Sequence, residues 1–265
     1  MNVRSFWVVI LSLCVVGGLI AGIMTPAIAQ TLTLPAASGS VRAPISPHLR
    51  PTVVATASVQ ARPTQMASGQ TILARDTFQR PDQPRWGSAS DGHLWGGAAN
   101  TSPAFSIKNG AGQITGASGA QQATLDVTSA DTEILLSGSV SHFNPGSGVN
   151  LGGVLRWQDA GNWYKVLING NILQLLKAFN GNVTVLGSIP FTAVDNTSYS
   201  LRFRVVGSNL FAKAWPGAQA EPAGWMLVAV DTQLTGGISG IRVKMAQGVT
   251  MRITSFLETS VPATM

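Results

Sequence analysis

A beat of two constrains this chain more than any other feature. In "EILLSGSVSHF", Ile134, Leu136, Gly138 and Val140 fall on one side of an extended chain, with Glu133, Ser137, Ser139 and Ser141 largely on the other. "SLRFRVV" sets Leu201, Phe203 and Val205 against Arg202 and Arg204, and "VTMRITSFLE" sets Met251, Ile253 and Ser255 against Arg252 and Thr254. Successive side chains of a strand point to opposite faces, so such runs predict half-buried antiparallel strands. "LFAKAW", "NVTVLGSIPF" and "ISGIRVKM" keep the beat less cleanly, and "FNGN" and "VGSN" carry turn chemistry between strands. No stretch shows a helical stripe. About a dozen strands of this kind predict an all-β protein, folded as a two-sheet antiparallel sandwich.

"GGVLRWQDAGNWYKVLING" reads as a hairpin within that sandwich. Leu155 and Trp157 share a face on its first arm, and Tyr164, Val166 and Ile168 share one on its second. These apolar sets coincide only if Trp157 pairs with Tyr164 and Leu155 with Val166. The turn is then Asp159, Ala160, Gly161 and Asn162, a common hairpin length. The other face would carry Gln158 beside Trp163 and Arg156 opposite Lys165. Trp157 and Tyr164 are thus expected to be buried, and Trp163 to lie outside.

The ends of the chain differ in character. Residues 1–29 carry Arg4, then an uncharged run from Trp7 to Met24, then "TPAIAQ" with Ala27 and Ala29 at the small positions of an Ala-x-Ala cleavage site. This predicts a secretory signal peptide and a secreted or cell-surface protein. An uncleaved N-terminal anchor is the alternative, because the apolar run is about long enough to span a bilayer. With cleavage, no membrane span is expected in the mature chain. Cys14 is the single cysteine, so the mature chain would hold no disulfide. Residues 30–71 are rich in Pro, Ala, Ser and Thr, with three prolines in the eleven residues of "RAPISPHLRPT". They predict a disordered linker. The folded domain is expected over 72–258, with a tail at 259–265.

The net charge of +6 suggests a polyanion partner until its distribution is considered. Arg4, Arg42, Arg50 and Arg62 precede Ile72, while all eleven acids come after it. The domain therefore has thirteen basic residues against eleven acidic ones, a difference of +2. No nucleic-acid partner is expected from so small an excess.

"RDTFQRPDQPRWGSASDGHLW" combines Asp-x-Phe-x-Arg with a Trp-Gly and a Gly-x-x-Trp. With "GGVLRWQDAGNWYKVLI" and the closing "MRITSFLE", it resembles the concanavalin A-like lectin/glucanase (LamG-like) jelly-roll modules of secreted bacterial proteins. The likeness spans roughly Ile72 to Glu258. It implies a jelly-roll sandwich whose first and last strands pair, in a fold that often recognises carbohydrate. Ser255 stands where such modules often have Asp, which counts against carrying a calcium site over to Asp76 and the last strand.

The catalytic chemistries find little support. A glycosidase needs two carboxyls flanking the scissile bond. Asp131 and Glu133 are the nearest approach to a dyad, with no surrounding constellation. The acidic pairs of the superfamily's hydrolases, Glu-x-Asp-x-x-Glu, do not occur. His93 and His142 lack a G-x-S-x-G nucleophile elbow and metal-ligand spacing. Calcium at Asp91, Asp159 or Asp195 is the one cofactor the loops leave open, on a signal no better than turn chemistry. The expectation is a non-catalytic module that binds a polysaccharide or glycan through Trp163, Arg156, Gln158, Asp159, Asn162 and Lys165, with Trp95 as a further aromatic candidate. The alternatives are a secreted glycoside hydrolase and an adhesion module without a small ligand.

Overall fold

The structure is a computed structural model that describes residues 69–262. The expected signal at 1–29, with Cys14, lies outside the described residues, as do residues 30–68 of the expected linker, with His48, and residues 263–265 of the expected tail.

Fifteen strands run in order: β1 Ile72–Asp76, β2 Gln83–Pro84, β3 Phe105–Lys108, β4 Ala111–Thr115, β5 Gly119–Ser129, β6 Thr132–Val140, β7 Leu151–Asp159, β8 Asn162–Ile168, β9 Ile172–Phe179, β10 Asn182–Pro190, β11 Tyr199–Val206, β12 Asn209–Pro216, β13 Leu227–Val230, β14 Gly237–Met245 and β15 Thr250–Ser260. They form two antiparallel sheets. Nine strands run β13-β12-β11-β6-β15-β4-β3-β2, with β1 paired to β15, and six run β10-β9-β8-β7-β14-β5. First and last strands pair as the resemblance implies, Asp76 facing Phe256.

The alternating runs become the two walls of one core. Ile134, Leu136, Leu201, Phe203, Met251 and Ile253 from the larger sheet meet Leu155, Tyr164, Val166, Ile241 and Val243 from the smaller. Each fully buried side chain of this kind contributes roughly 1.5–3 kcal/mol. The beat slips once in β15. A bulge between Ile253 and Ser255 turns Phe256 inward, fully buried, in place of the expected Ser255.

The opening motif closes one region of the sandwich. The carboxylate of Asp76 accepts from the Phe78 amide (2.7 Å), from both terminal nitrogens of Arg80 (2.7 and 3.1 Å) and from Trp95 Nε1 (2.7 Å). Phe78, Trp86 and Trp95 pack on one another with ring centroids 5.0–5.8 Å apart. The Asp-x-Phe-x-Arg spacing thus makes one buried knot from a carboxylate, an aromatic plug and a cation.

Candidate functional site

The hairpin of β7 and β8 forms, and its turn closes as expected with Asp159 paired to Asn162. Below the turn the register differs from the expected one. Leu155 pairs with Tyr164 and Gly153 with Val166. The three residues Arg156, Trp157 and Gln158 stand against Trp163 alone, so β7 carries a bulge. Arg156 adopts a left-handed backbone, with φ 49°. This breaks the alternation of β7 within one residue and re-aims Trp157 and Gln158.

Arg156 consequently does not sit opposite Lys165. It is buried, and its guanidinium donates to the carbonyls of Ala130 (2.9 Å), Leu234 (2.5 Å) and Gly207 (2.8 Å), with Asp131 at 3.4 Å. Five fixed donors suit such a gathering of loop carbonyls. The expectation of Arg156 on a sugar-facing surface is corrected: it fastens three loops from within.

Trp157 moves the other way. Rather than pairing with Tyr164 in the core, it lies on the outer face of the six-stranded sheet, in a small cluster with Val154, Trp163 and Ala178. Trp163 has the expected face but not the expected exposure, being only 5% accessible. Arg242 of β14 explains why. Its guanidinium carbon lies 4.8 Å from the Trp157 ring centroid and 5.1 Å from that of Trp163, covering both indoles. Trp163 Nε1 donates to the Ala160 carbonyl at 2.9 Å, which fixes the ring.

Lys165 shares this outer face and is buried. Its stem crosses Gly152, where a Cβ would come within 2.9 Å of Lys165 Cε, and its Nζ donates to Asn150 Oδ1 at 2.7 Å. Burial first, and then the positive charges of Arg242 and Lys244, lower its ammonium to about 7. Arg242 is half-buried and Lys244 exposed. Toward the sheet edge, Val183 and Val185 of β10 face Ala178 and Leu176 of β9 and are themselves exposed.

The remaining expected residues have local duties. Asp159 accepts from the Gly161 amide and, through both oxygens, from the Asn162 amide group; Asn162 in turn accepts from the Asn180 amide of the neighbouring turn. The hydrogen bonds from Asn162 and Gly161 hold the exposed Asp159 carboxyl below the usual range. Gln158 donates to the Gly236 carbonyl at 3.0 Å. Trp95 is fully buried in the aromatic knot, which removes it from any surface. Asp76 has both oxygens engaged by the knot. Asp91 accepts from the amides of Arg75 in β1 and His93, and Asp195 from the Phe143 amide and the His142 imidazole of the segment after β6. Among the described residues no group of three His, Cys, Asp or Glu is placed to hold a metal ion.

The opposite outer face, on the larger sheet, also carries a tryptophan and cations, with carboxylates added. Trp225 lies under Arg204 (5.1 Å) and Lys213 (4.9 Å). Glu133 binds Arg202 and Arg204, and Glu221 binds Arg202 (2.7 Å) and Lys213 (2.8 Å). Asp131 turns instead to Arg156 and the Gly207 amide (2.8 Å), so the two carboxylates two residues apart do not form a pair.

Five residues of the Trp157–Trp163 face were not among the expected ones: Trp157, Arg242, Lys244, Val183 and Val185. The alternation in "IRVKM" does turn Arg242 and Lys244 outward. That β14 lies beside β7 is a long-range pairing no single run of sequence announces.

No protein-family model matches the chain, and no curated protein does. Solved structures do. The carbohydrate binding module CBM66 from Bacillus subtilis matches at TM-score 0.50 and 16% identity, covering 63% of this chain and 95% of that one. This is a concanavalin A-like jelly roll. The same jelly roll recurs in xylan β-1,4-xylosidase from Bacillus halodurans C-125, at TM-score 0.52 and 14% identity over 76% of this chain. It recurs again in the GH43 BlXynB protein from Bacillus licheniformis, at TM-score 0.53 and 13% identity over 71%. The jelly roll corresponds to 41% and 39% of those two longer chains.

Proposed function

We propose that this protein is an exported, non-catalytic carbohydrate-binding module that receives a glycan on the outer face of its six-stranded sheet. The observation that carries the reading is the Trp157–Trp163 pair held beneath Arg242, with exposed Lys244, Val183 and Val185 on the same face. Apolar sugar faces can pack on the exposed Val183 and Val185, while Arg242, seated on the two indoles, and Lys244 supply directional polar groups for the hydroxyls. A module named for carbohydrate binding has the same fold, which fits the reading without assigning a ligand. A hydrolase of this fold is disfavoured, because Glu133 and Glu221 are engaged by cations and Asp131 and Glu133 point to different partners.

A glycan array probed with the wild-type chain and with Trp157→Ala and Trp163→Ala tests the reading. Binding that falls at least ten-fold in both variants, with near-ultraviolet circular dichroism retained, supports it. Undiminished binding in the variants, or no binding by the wild type, overturns it.

A further inference from the structure

The two outer faces of the sandwich each carry tryptophan beneath cations, and they differ in one respect. On the larger sheet Arg202, Arg204 and Lys213 are neutralised by Glu133 and Glu221. On the smaller sheet Lys165, Arg242 and Lys244 stand together, and among the described residues none of the three forms an ion pair. The Arg242 guanidinium is held by its two indoles rather than by a carboxylate. Its ionised form is disfavoured by burial, with no acidic neighbour to offset it.

From this contrast we infer that the smaller sheet's outer face recognises an acidic polysaccharide, with Arg242 as the reader of a carboxylate or sulfate group and Lys244 beside it. The inference rests on the glycan-binding reading above and names the ligand class.

The physical argument has three parts. First, a guanidinium packed over two indoles loses conformational freedom before any ligand arrives. Its edge N–H groups are then set for bidentate contact with a planar or tetrahedral oxyanion. Second, like charges packed together are unfavourable in the free protein. Lys165 shows the effect in part: burial lowers its pKa most, and Arg242 and Lys244 beside it lower it further. An anion relieves that repulsion, so binding an acidic sugar recovers free energy that a neutral sugar does not. Third, the indoles are largely covered by Arg242, with Trp157 8% and Trp163 5% accessible. They serve mainly as a bed for the cation, so a ligand meets the guanidinium before it meets the rings. The small net charge of the domain does not conflict with this, because among the described residues no acidic side chain pairs with any of these three cations.

Polygalacturonate and its fully methyl-esterified form share a backbone and differ in charge, as do dextran sulfate and dextran. The whole wild-type chain is titrated with all four by affinity electrophoresis or calorimetry. Binding to polygalacturonate or dextran sulfate at least ten-fold tighter than to the matching neutral polymer is expected, weakening as salt is raised. Whichever acid binds identifies the group, carboxylate or sulfate. Arg242→Gln should lower acidic binding at least ten-fold. Lys244→Gln, on an exposed side chain with little bearing on folding, should lower it about three-fold, as expected for one partly screened charge.

Equal binding of acidic and neutral forms overturns the inference. So does acidic binding unchanged in both variants. Neutral binding that disappears in Trp163→Ala would sink the acidic ligand while leaving the glycan reading intact. Binding of none of these polymers, together with a blank glycan array, sinks both.

Discussion

The indoles of Trp157 and Trp163 share one face of the six-stranded sheet, under the single guanidinium of Arg242. Strict alternation along β7 would instead have placed Trp157 in the core beside Leu155. The left-handed backbone at Arg156 makes the difference, and neighbouring strands accommodate it. The β14–β7 and β14–β5 ladders both shift register next to Ile238. A band of bulges across three strands therefore builds the surface, and the residues that hold this band should be sensitive to change.

Arg156 is the first of them. Arg156→Lys keeps the charge but replaces a five-donor fork with a single ammonium, which cannot serve Ala130, Leu234 and Gly207 together. Leu234 is buried, and a buried carbonyl left without its donor costs about 1–3 kcal/mol, whereas Ala130 and Gly207 are exposed and can turn to water. Arg156→Lys is expected to lower unfolding stability by roughly 1–3 kcal/mol in urea titration. A change below about 0.5 kcal/mol would show that the three carbonyls find other donors.

Gly237 is the second. A Cβ there would lie 2.6 Å from both the Arg156 carbonyl carbon and the Trp157 carbonyl oxygen, and these are backbone atoms that cannot swing aside. Gly237→Ala must push β14 away from the bulge. The expected outcome is a loss of roughly 1–3 kcal/mol, the usual cost of overpacking, read from the denaturation midpoint. Because the displaced backbone carries Trp157, glycan affinity should fall with it. Gly181 makes a control, since its Cβ would meet nothing within 4 Å. Its positive φ of 79° carries a strain cost of its own, but no loss of ligand is expected.

The strands were legible because half-buried sheets write their burial into period two. Tyr164, Val166 and Ile168 face the core, and Trp163 and Lys165 face away, as their spacing required. The turn at Asp159–Asn162 was legible from local chemistry as well. The bulge was not, since Arg156 is neither Gly nor Asn, the residues that usually advertise a left-handed backbone. Its side chain is held by loop carbonyls from Ala130, Gly207 and Leu234, all distant in sequence. Trp95 misled for a related reason: a tryptophan in a glycine-rich loop looks exposed until Asp76, nineteen residues earlier, is seen to receive its indole N–H. The pairing of β14 with β7 lies beyond local pattern altogether.

Glu258 adds a pH dependence unrelated to the ligand face. It is fully buried, one oxygen accepting from the Thr132 hydroxyl at 3.2 Å and the other without a partner among the described residues. Burial pushes its carboxyl up to about 7 from an ordinary 4.5. The folded state therefore holds its proton more tightly than the unfolded chain does. Stability from this group is complete below about pH 4.5, falls as the pH rises toward 7, and is lost above. Glu258→Gln removes the ionisation. It should be more stable than wild type by roughly 2–3 kcal/mol at pH 8, a gain that vanishes near pH 4.5. Parallel melting curves of the two proteins across that range would refute the assignment.

Lys165 titrates in the opposite sense. Its ammonium is lowered from 10.5 to about 7 by burial and by Arg242 and Lys244, so the unfolded chain holds this proton more tightly than the folded one. The penalty for the charged form is largest below pH 7, shrinks as the pH rises, and is gone above about 10.5. Lys165→Met keeps the stem that lies across Gly152 and removes the charge. The variant leaves Asn150 Oδ1 without its donor, a loss of about 1 kcal/mol. Relief of the buried charge outweighs it, and a net gain of roughly 2–4 kcal/mol is expected at pH 6, declining to a small loss near pH 10.5. The same variant deletes one of the three clustered cations. If that cluster attracts acidic polysaccharide, Lys165→Met should bind polygalacturonate or dextran sulfate more weakly while unfolding at a higher urea concentration. Stability and ligand affinity would then move in opposite directions from one substitution, as expected of like charges crowded together to meet an anion.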